Sequence, residues 1–500
     1  MKYDVVIIGS GLGGLECGAV LSREGYNVCV LEKNRLLGGC LQTFVRHGYS
    51  LDTGLHYIGS LGDGQILNQC FRYFGIMDGL KLRKLDDSAF DKIWFRGRTY
   101  DYASGPERFT DTLAEYFPHE KEGLEDYVRK VSEVGHLVSV DNLGRGFVSS
   151  REGLKYMYIS ASEAISSSVK DPVLRNVLGG NCLLYGGERG RSSFYEHGMI
   201  MSSYLDGAWR CVDGGMQIAD LLAVNIRACG GTVMNCRKAT GIAVEDGHVT
   251  GVYTEGQDGT SEFIEAANVI SDIHPLNTLA MLDRNGSLKP AYRMRLESLE
   301  NTYGVFTLYL MMEPGTSPYL NHNIYFHRGA DVWYSRSDGR GFFKSCLLSE
   351  QPLSSDPAHT RVISVMAPMY IDELRQWEDT SPGDRGDSYR EFKDSRSAEL
   401  MAFLEECGME IKGRIMHTFA TTPLSYRDFT GTCEGSAYGF LKDCANPLLS
   451  MISPRTRLGN LFFTGQNVNV HGVMGVTLSS IMTCSELLGQ EYLTKRIAYA

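Results

Sequence analysis

Residues 3–14 read Tyr3-Asp4-Val5-Val6-Ile7-Ile8-Gly9-Ser10-Gly11-Leu12-Gly13-Gly14, and a second apolar run, Asn27 to Leu31, ends in Glu32. Val5 to Ile8 is apolar at consecutive positions, as a parallel strand buried on both faces requires. Gly9 permits the sharp turn out of that strand. Gly11 removes a side chain where backbone must approach a pyrophosphate, and Gly14 lets the next helix pack closely. Leu15 to Glu24 is predicted as that helix, with Cys17, Gly18 and Ala19 toward the sheet and Gly25 suited to its C-terminal end. Its N-terminus would turn free N–H groups and a partial positive charge toward phosphate. Glu32 stands 18 residues beyond Gly14, near the usual ~20, where a carboxylate accepts both ribose hydroxyls of an adenosine. An acid there argues against a 2′-phosphate, and so against NADP. Glycine-rich turns alone are common; strand, glycines, helix, strand and acid in this order carry a dinucleotide reading. The alternative is a Rossmann-like fold that has lost its cofactor.

Composition bounds the rest. A chain of 500 residues, 43% hydrophobic, can build a large core and two domains. Net charge is −11 with no basic stripe, which excludes nucleic acid as the expected partner. The thirteen cysteines are scattered, without Cys-x-x-Cys or zinc spacing. They read as buried free thiols of a reducing compartment, and no metal site is expected. No targeting segment precedes the first strand, and no stretch reaches the ~18 apolar residues that span a bilayer. The expected location is cytoplasmic, at most peripheral to a membrane.

Gly38-Gly39 follows in Glu32-Lys33-Asn34-Arg35-Leu36-Leu37-Gly38-Gly39. With the N-terminal motif it resembles the FAD-binding amine oxidase and phytoene desaturase superfamily, in which this glycine pair lets the chain pass the diphosphate. Cys40 departs from the arginine often found there. Gly48-Tyr49-Ser50-Leu51-Asp52-Thr53-Gly54-Leu55-His56-Tyr57-Ile58-Gly59 closely resembles retinol saturases and carotenoid isomerases. So do Thr422 to Phe429 with Gly435-Ser436-Ala437-Tyr438-Gly439, and Thr464-Gly465-Gln466-Asn467 with Gly472-Val473-Met474-Gly475. Asn467 replaces a frequent aspartate and can still hydrogen-bond a ribityl chain. The resemblance covers most of the chain. It is weakest at about 140–210 and 320–400, where substrate choice would be made.

The resemblance implies an α/β fold: a Rossmann-like FAD-binding domain with an interleaved α+β substrate domain, a mixed sheet covered by helices. The FAD-binding domain would comprise residues 1–80, 211–275 and 455–500, and the substrate domain 81–210 and 276–454. A helix is expected at Gln217 to Cys229. Strands are expected at Thr232 to Cys236, Gly241 to Glu245, Val249 to Thr254 and Ala267 to Ser271, with a hairpin turn at Asp246-Gly247. Asn460 to Gly465 reads as a strand and Gly475 to Leu488 as an apolar helix, whose N-terminus would stabilise reduced flavin. Elsewhere, helices are expected at Gly105-Pro106-Glu107 onward, at Glu120 to Val138 and through 150–210. Residues 303–370 read as strands, and Asp379 to Asp387 as a surface turn.

Implied FAD contacts, non-covalent, are Gly9, Ser10, Gly11, Gly13, Gly14, Glu32, Lys33, Gly38, Gly39 and Gly54. Backbone at Ala239 would meet the adenine, and Gly465, Asn467, Val473, Met474 and Gly475 would close the flavin end. The implied activity is hydride exchange at flavin N5 with carbon–carbon double bonds of an apolar polyene, by saturation, desaturation or isomerisation. No second nucleotide motif follows, which argues against a dedicated NAD(P)H domain; the electron donor or acceptor stays open, with NAD(P)H an admissible external donor. Catalytic candidates beside these motifs are His56, Tyr438 and His471. Peripheral membrane contact through an exposed apolar helix within 150–210 would suit such a substrate. The rival readings are an amine-oxidase or protoporphyrinogen-oxidase type of oxidase and a flavin halogenase, whose Trp-x-Trp-x-Ile-Pro signature is missing. A third is a lipid-binding protein like the GDP-dissociation inhibitors.

Overall fold

A computed structural model describes residues 2–138, 151–282, 288–336 and 342–500. The expected helical start at residue 150 and residues 337–341 of the strand-rich stretch lie outside these. The first sheet contains β1 (Lys2–Ile8), β2 (Val28–Leu31), β3 (Thr232–Met234), β4 (Arg237–Glu245), β5 (His248–Gly256), β6 (Ser261–Ser271) and β7 (Leu461–Phe463). Its order is β3-β2-β1-β6-β5-β4, with β7 also on β6. Strands β3, β2, β1, β6 and β7 are parallel, and the β4–β5 hairpin is added antiparallel to β6. Asp246 and Gly247 both take positive φ (+47° and +78°), as a tight hairpin turn demands. β6 is long enough to serve two partners, Ser261 to Glu265 pairing with β5 and Val269 to Ser271 with β7. That division sets the C-terminal segment across β6 from β1.

The unbroken apolar run of β1 has a direct cause. Val5 and Ile7 pack into one cluster and Val6 and Ile8 into another, so both faces are buried. Four helices position the site: α1 (Leu12–Arg23), α2 (Phe194–Leu205), α3 (Met216–Ala228) and α4 (Gly472–Leu488). α1 starts at Leu12 rather than Leu15, and α4 at Gly472 rather than Gly475. Glycine is a poor helix former, which hides both starts. Here contact overrides propensity: a Cβ at Gly14 would lie 2.2 Å from the Gly9 carbonyl oxygen, and one at Gly475 2.2 Å from that of Val470.

A second sheet runs in the order Ile415–Thr421, Gly304–Met312, Val362–Met369, Ser345–Glu350, Asn323–His327, Asp91–Phe95 and Arg98–Tyr102. Phe306, Leu308 and Leu310 face one side, where Leu400, Phe403 and Leu404 of the helix Gly386–Glu406 cover them. Val305, Leu347 and Met366 face the other side and join the core below β1. The helix Gly386–Glu406 begins inside the expected surface turn. Its dense charges obscure the period of its few buried residues.

α2 is almost wholly buried. Of the described residues in 151–210, Tyr158 alone is an exposed large hydrophobic. The exposed apolar helix expected there is thus absent from that described stretch, because its apolar faces are spent on packing. Among the described residues no helix is long and apolar enough to cross a membrane. All thirteen cysteines are free thiols, eight of them buried.

Candidate functional site

A cavity of about 260 Å³ lies where the carboxyl ends of β1 and β6 meet the second sheet. One end is backbone-rich: Gly11 to Gly13, Gly38 to Leu41, Asp272 and Gly465 to Asn467 line it. The other end is apolar and aromatic, with Leu183, Leu184, Val305, Leu347 and Met366 among Tyr57, Tyr204, Tyr303 and Tyr438. This placement follows the rule that open α/β sheets bind ligands beyond their carboxyl edge.

The glycines act in sequence. Gly9 (φ +100°) turns the chain out of β1 and α1 begins at once. Gly38 (φ +100°) and Gly39 (φ +55°) fold a second loop against the first, and a Cβ on Gly39 would sit 3.3 Å from Gly11 Cα. Gly11 and His471 hold the N-cap positions of α1 and α4, and neither supplies a side-chain cap. Both helices reach the cavity wall; at the start of α1 the Asp272 carboxyl takes the Gly11 and Gly14 N–H groups, while the start of α4 has no side-chain cap. An anionic, acceptor-rich ligand such as a dinucleotide fits this donor set. Gly54, Gly465 and Val473 also line the cavity, while Met474 and Gly475 lie behind it in the first turn of α4.

Glu32 lies beside the cavity and is almost fully buried. Its Oε2 accepts from Ser10 Oγ (2.6 Å) and Ser10 N (3.2 Å), and its Oε1 from Asn34 N (2.8 Å). A carboxylate offers about four lone-pair sites, so Oε1 keeps one for a hydroxyl. Lys33 turns away and donates to the Asp428 carbonyl at 2.9 Å. Ala239 is buried in β4, away from the cavity wall. Asn467 is on the wall, and its Oδ1 accepts from Phe440 N at 3.0 Å. Cys40, also on the wall, is a neutral thiol, because burial lifts its pKa to about 11.

The catalytic candidates separate. His56 lines the cavity, but burial and then the Arg210 guanidinium depress its pKa to about 4. It is neutral at physiological pH and carries no spare proton. Tyr438 lines the wall and donates to Leu183 O at 2.7 Å. Burial raises its pKa further, so it stays a phenol. His471 sits behind Tyr438, with ring centroids 4.6 Å apart.

Four acidic residues escaped the sequence reading. Asp272 lies among the glycines and accepts from the N–H groups of Gly14 and Gly11, and burial still raises its pKa to about 8. Its sequence signal was its position directly after β6. Glu16 accepts from Thr477 Oγ1 (2.7 Å) and Ser480 Oγ (2.8 Å), tying α1 to α4. Burial pushes its pKa to about 8. Asp91 accepts from Tyr57 Oη (2.8 Å) and Asn323 Nδ2 (2.8 Å), and burial lifts it to about 7. Glu196 pairs with His471. For Glu16 and Glu196 the legible signal was an acid within an otherwise apolar helix.

The model of the NAD(P)-binding Rossmann-like domain matches residues 7–74. The zebrafish (Danio rerio) all-trans-retinol 13,14-reductase is 27% identical, covering 97% of this chain and 86% of its own. The human enzyme of that name is 25% identical with the same coverage. A 4,4′-diaponeurosporene oxygenase of Staphylococcus aureus is 23% identical over 98% of this chain and 99% of its own. Among solved structures, a putrescine oxidase superposes with TM-score 0.64 at 16% identity, covering 98% of this chain and 99% of that one. An oxidoreductase of Methanosarcina mazei gives 0.62 at 17%, covering 96% and 99%. Over nearly its full length the chain is similar to these polyene oxidoreductases, and its fold is that of the amine-oxidase-like structures.

Proposed function

We propose that the protein binds FAD non-covalently and reduces a carbon–carbon double bond of a long apolar polyene, with a retinoid alcohol as the model substrate. The observation that carries this is the single cavity that joins the paired glycine loops to an apolar, tyrosine-lined end. Similarity to retinol reductases supports reduction over the other directions. In this reading the β1–β7 sheet forms the cofactor domain, from residues 1–80, 211–275 and 455–500. The second sheet and its helices form the substrate domain, and NAD(P)H is the external donor.

Bound FAD would supply hydride chemistry at its ring. The chain supplies the rest. Gly11, Gly13, Gly38 and Gly39 would bring backbone up to the diphosphate, with the Asp272 carboxyl held among them, and Glu32 would take a ribose hydroxyl. The start of α4, on the cavity wall, would turn its positive end toward the cofactor and favour negative charge there. Leu183, Leu184, Leu347 and Met366 exclude water and hold a flat polyene in near contact. Tyr57 is one of the four tyrosines that bring a hydroxyl to the apolar end. It donates to Asp91 and meets Tyr325 Oη at 2.7 Å, so one lone pair remains for an alcohol.

The test is to purify the protein, record its visible spectrum and identify the extracted cofactor by mass. The reading expects FAD released by denaturation alone, and turnover of polyenes but not of diamines. A colourless protein that does not take up FAD, or one producing hydrogen peroxide from amines, would overturn it.

A further inference from the structure

Asp272 directly follows β6, and among the described residues it is the one carboxyl on the wall of the main cavity. Its two oxygens are seated in glycine backbone. A Cβ on Gly11 would meet Oδ2 at 2.4 Å, and one on Gly13 or Gly465 would meet Oδ1 at 2.5 Å. The glycines thus make room for this acid as well as for a ligand. The N–H groups of Gly11 and Gly14 take it as their acceptor. Gly11, Gly13 and Gly465 all line the cavity, so the carboxyl stands at the surface that a diphosphate would meet.

The charges there are lopsided. Among the described residues no lysine or arginine lines the cavity. Lys33 turns to the Asp428 carbonyl, and Cys40 is a neutral thiol. A diphosphate would bring two negative charges into this cradle and find backbone N–H groups but no cation. An ionised Asp272 would add a third negative charge among the same glycines, and it offers acceptors only. A neutral carboxyl still accepts from the Gly11 and Gly14 N–H groups, and it gains an O–H for a phosphate oxygen. One proton converts a like-charge clash into a hydrogen bond.

We propose that Asp272 holds the cofactor's diphosphate as a neutral carboxylic acid, so that FAD binds the ionised form of the protein only together with one proton. The inference rests on the proposed binding of FAD. The titratable groups around Asp272 are Glu32, Glu16, Cys40 and His274. None of them is a cation at neutral pH. Burial depresses the His274 pKa to about 4, and its Nε2 meets Asn301 Oδ1 at 2.9 Å. For Asp272 itself, burial raises the pKa to about 8, with Glu32 adding to it and the two N–H groups opposing. Below that pH the free protein already holds the proton, and FAD affinity is level. Above it each FAD draws one proton from solution, and affinity falls as pH rises.

The test is calorimetric titration of the cofactor-free protein with FAD, from about pH 6 to about pH 9, in paired buffers of different ionisation enthalpy. The wild-type Kd should be level to about pH 7 and rise about tenfold between pH 7 and 9, with about one proton taken up per FAD at pH 9. Asp272→Asn presents an amide oxygen to the glycine N–H groups and an N–H to the cavity, as the neutral acid does. It should bind FAD with level affinity and no proton uptake, about tenfold more tightly than wild type at pH 9. Glu16→Gln is the control, because the Glu16 pKa is also about 8. It should keep the wild-type rise. A level wild-type Kd, a rise kept in Asp272→Asn, or a rise lost in Glu16→Gln would overturn the role of Asp272 and leave FAD binding intact. FAD taken up by neither wild type nor Asp272→Asn at any pH would refute the cofactor reading, and this inference with it.

Discussion

Glu16 shows how one residue couples folding to pH. Its pKa rises from 4.5 to about 8 because burial outweighs its bonds from Thr477 and Ser480. Between these values the native state holds a proton that the unfolded chain has released. Its contribution is therefore fully present below pH ~4.5 and is lost as pH rises through ~8, a change of a few kcal/mol. Glu16→Gln should flatten the fall in thermal stability of the cofactor-free protein between pH 5 and 8. An unchanged slope would exclude Glu16 as its source. Tyr57 offers a second test at this scale. Tyr57→Phe should weaken binding of polyene alcohols about 2–12-fold, the equivalent of one net hydrogen bond. Hydrocarbon polyenes should be unaffected, and equal losses for both would indicate a packing role. Neither environment was legible in the sequence, because each depends on partners far away: Thr477 and Ser480 for Glu16, and Asp91 and Tyr325 for Tyr57.

At the scale of elements, the two helix starts at the cavity depend on glycine for space. Gly14→Ala and Gly475→Ala each set a Cβ 2.2 Å from a backbone oxygen. Each should cost about 1–3 kcal/mol, as overpacking does, and displace a helix N-terminus. The expected outcome is a lower melting temperature without cofactor and loss of flavin on gel filtration. Gly247→Asn is the control: nothing lies within 4 Å of a Cβ there, and asparagine tolerates its φ of +78°. Equal damage in all three variants would contradict the steric account. The β1–turn–α1–β2 unit was legible because its residues are contiguous and its pattern is strong. The starts of α1 and α4 were read late, since propensity speaks against glycine where contact requires it. The helix Gly386–Glu406 was missed because its buried residues are few among many charges.

At the scale of the molecule, the cavity is built from segments far apart in the chain: β1 with its loop, the end of β6, the second sheet and the start of α4. Local motifs revealed the glycine-rich end. The apolar end comes from Leu183, Leu347 and Met366, whose sequence surroundings read as ordinary core. Leu347→Trp should fill that end, abolishing polyene turnover while FAD content stays full; unimpaired turnover would place the substrate elsewhere. The most direct test of the whole account is a single turnover. The FAD-loaded protein is reduced, mixed without oxygen with all-trans-retinol, and followed by flavin absorbance and product mass. The account predicts one flavin reoxidised per retinol that gains two mass units. Flavin that stays reduced until oxygen is admitted, with retinol recovered unchanged, would contradict it.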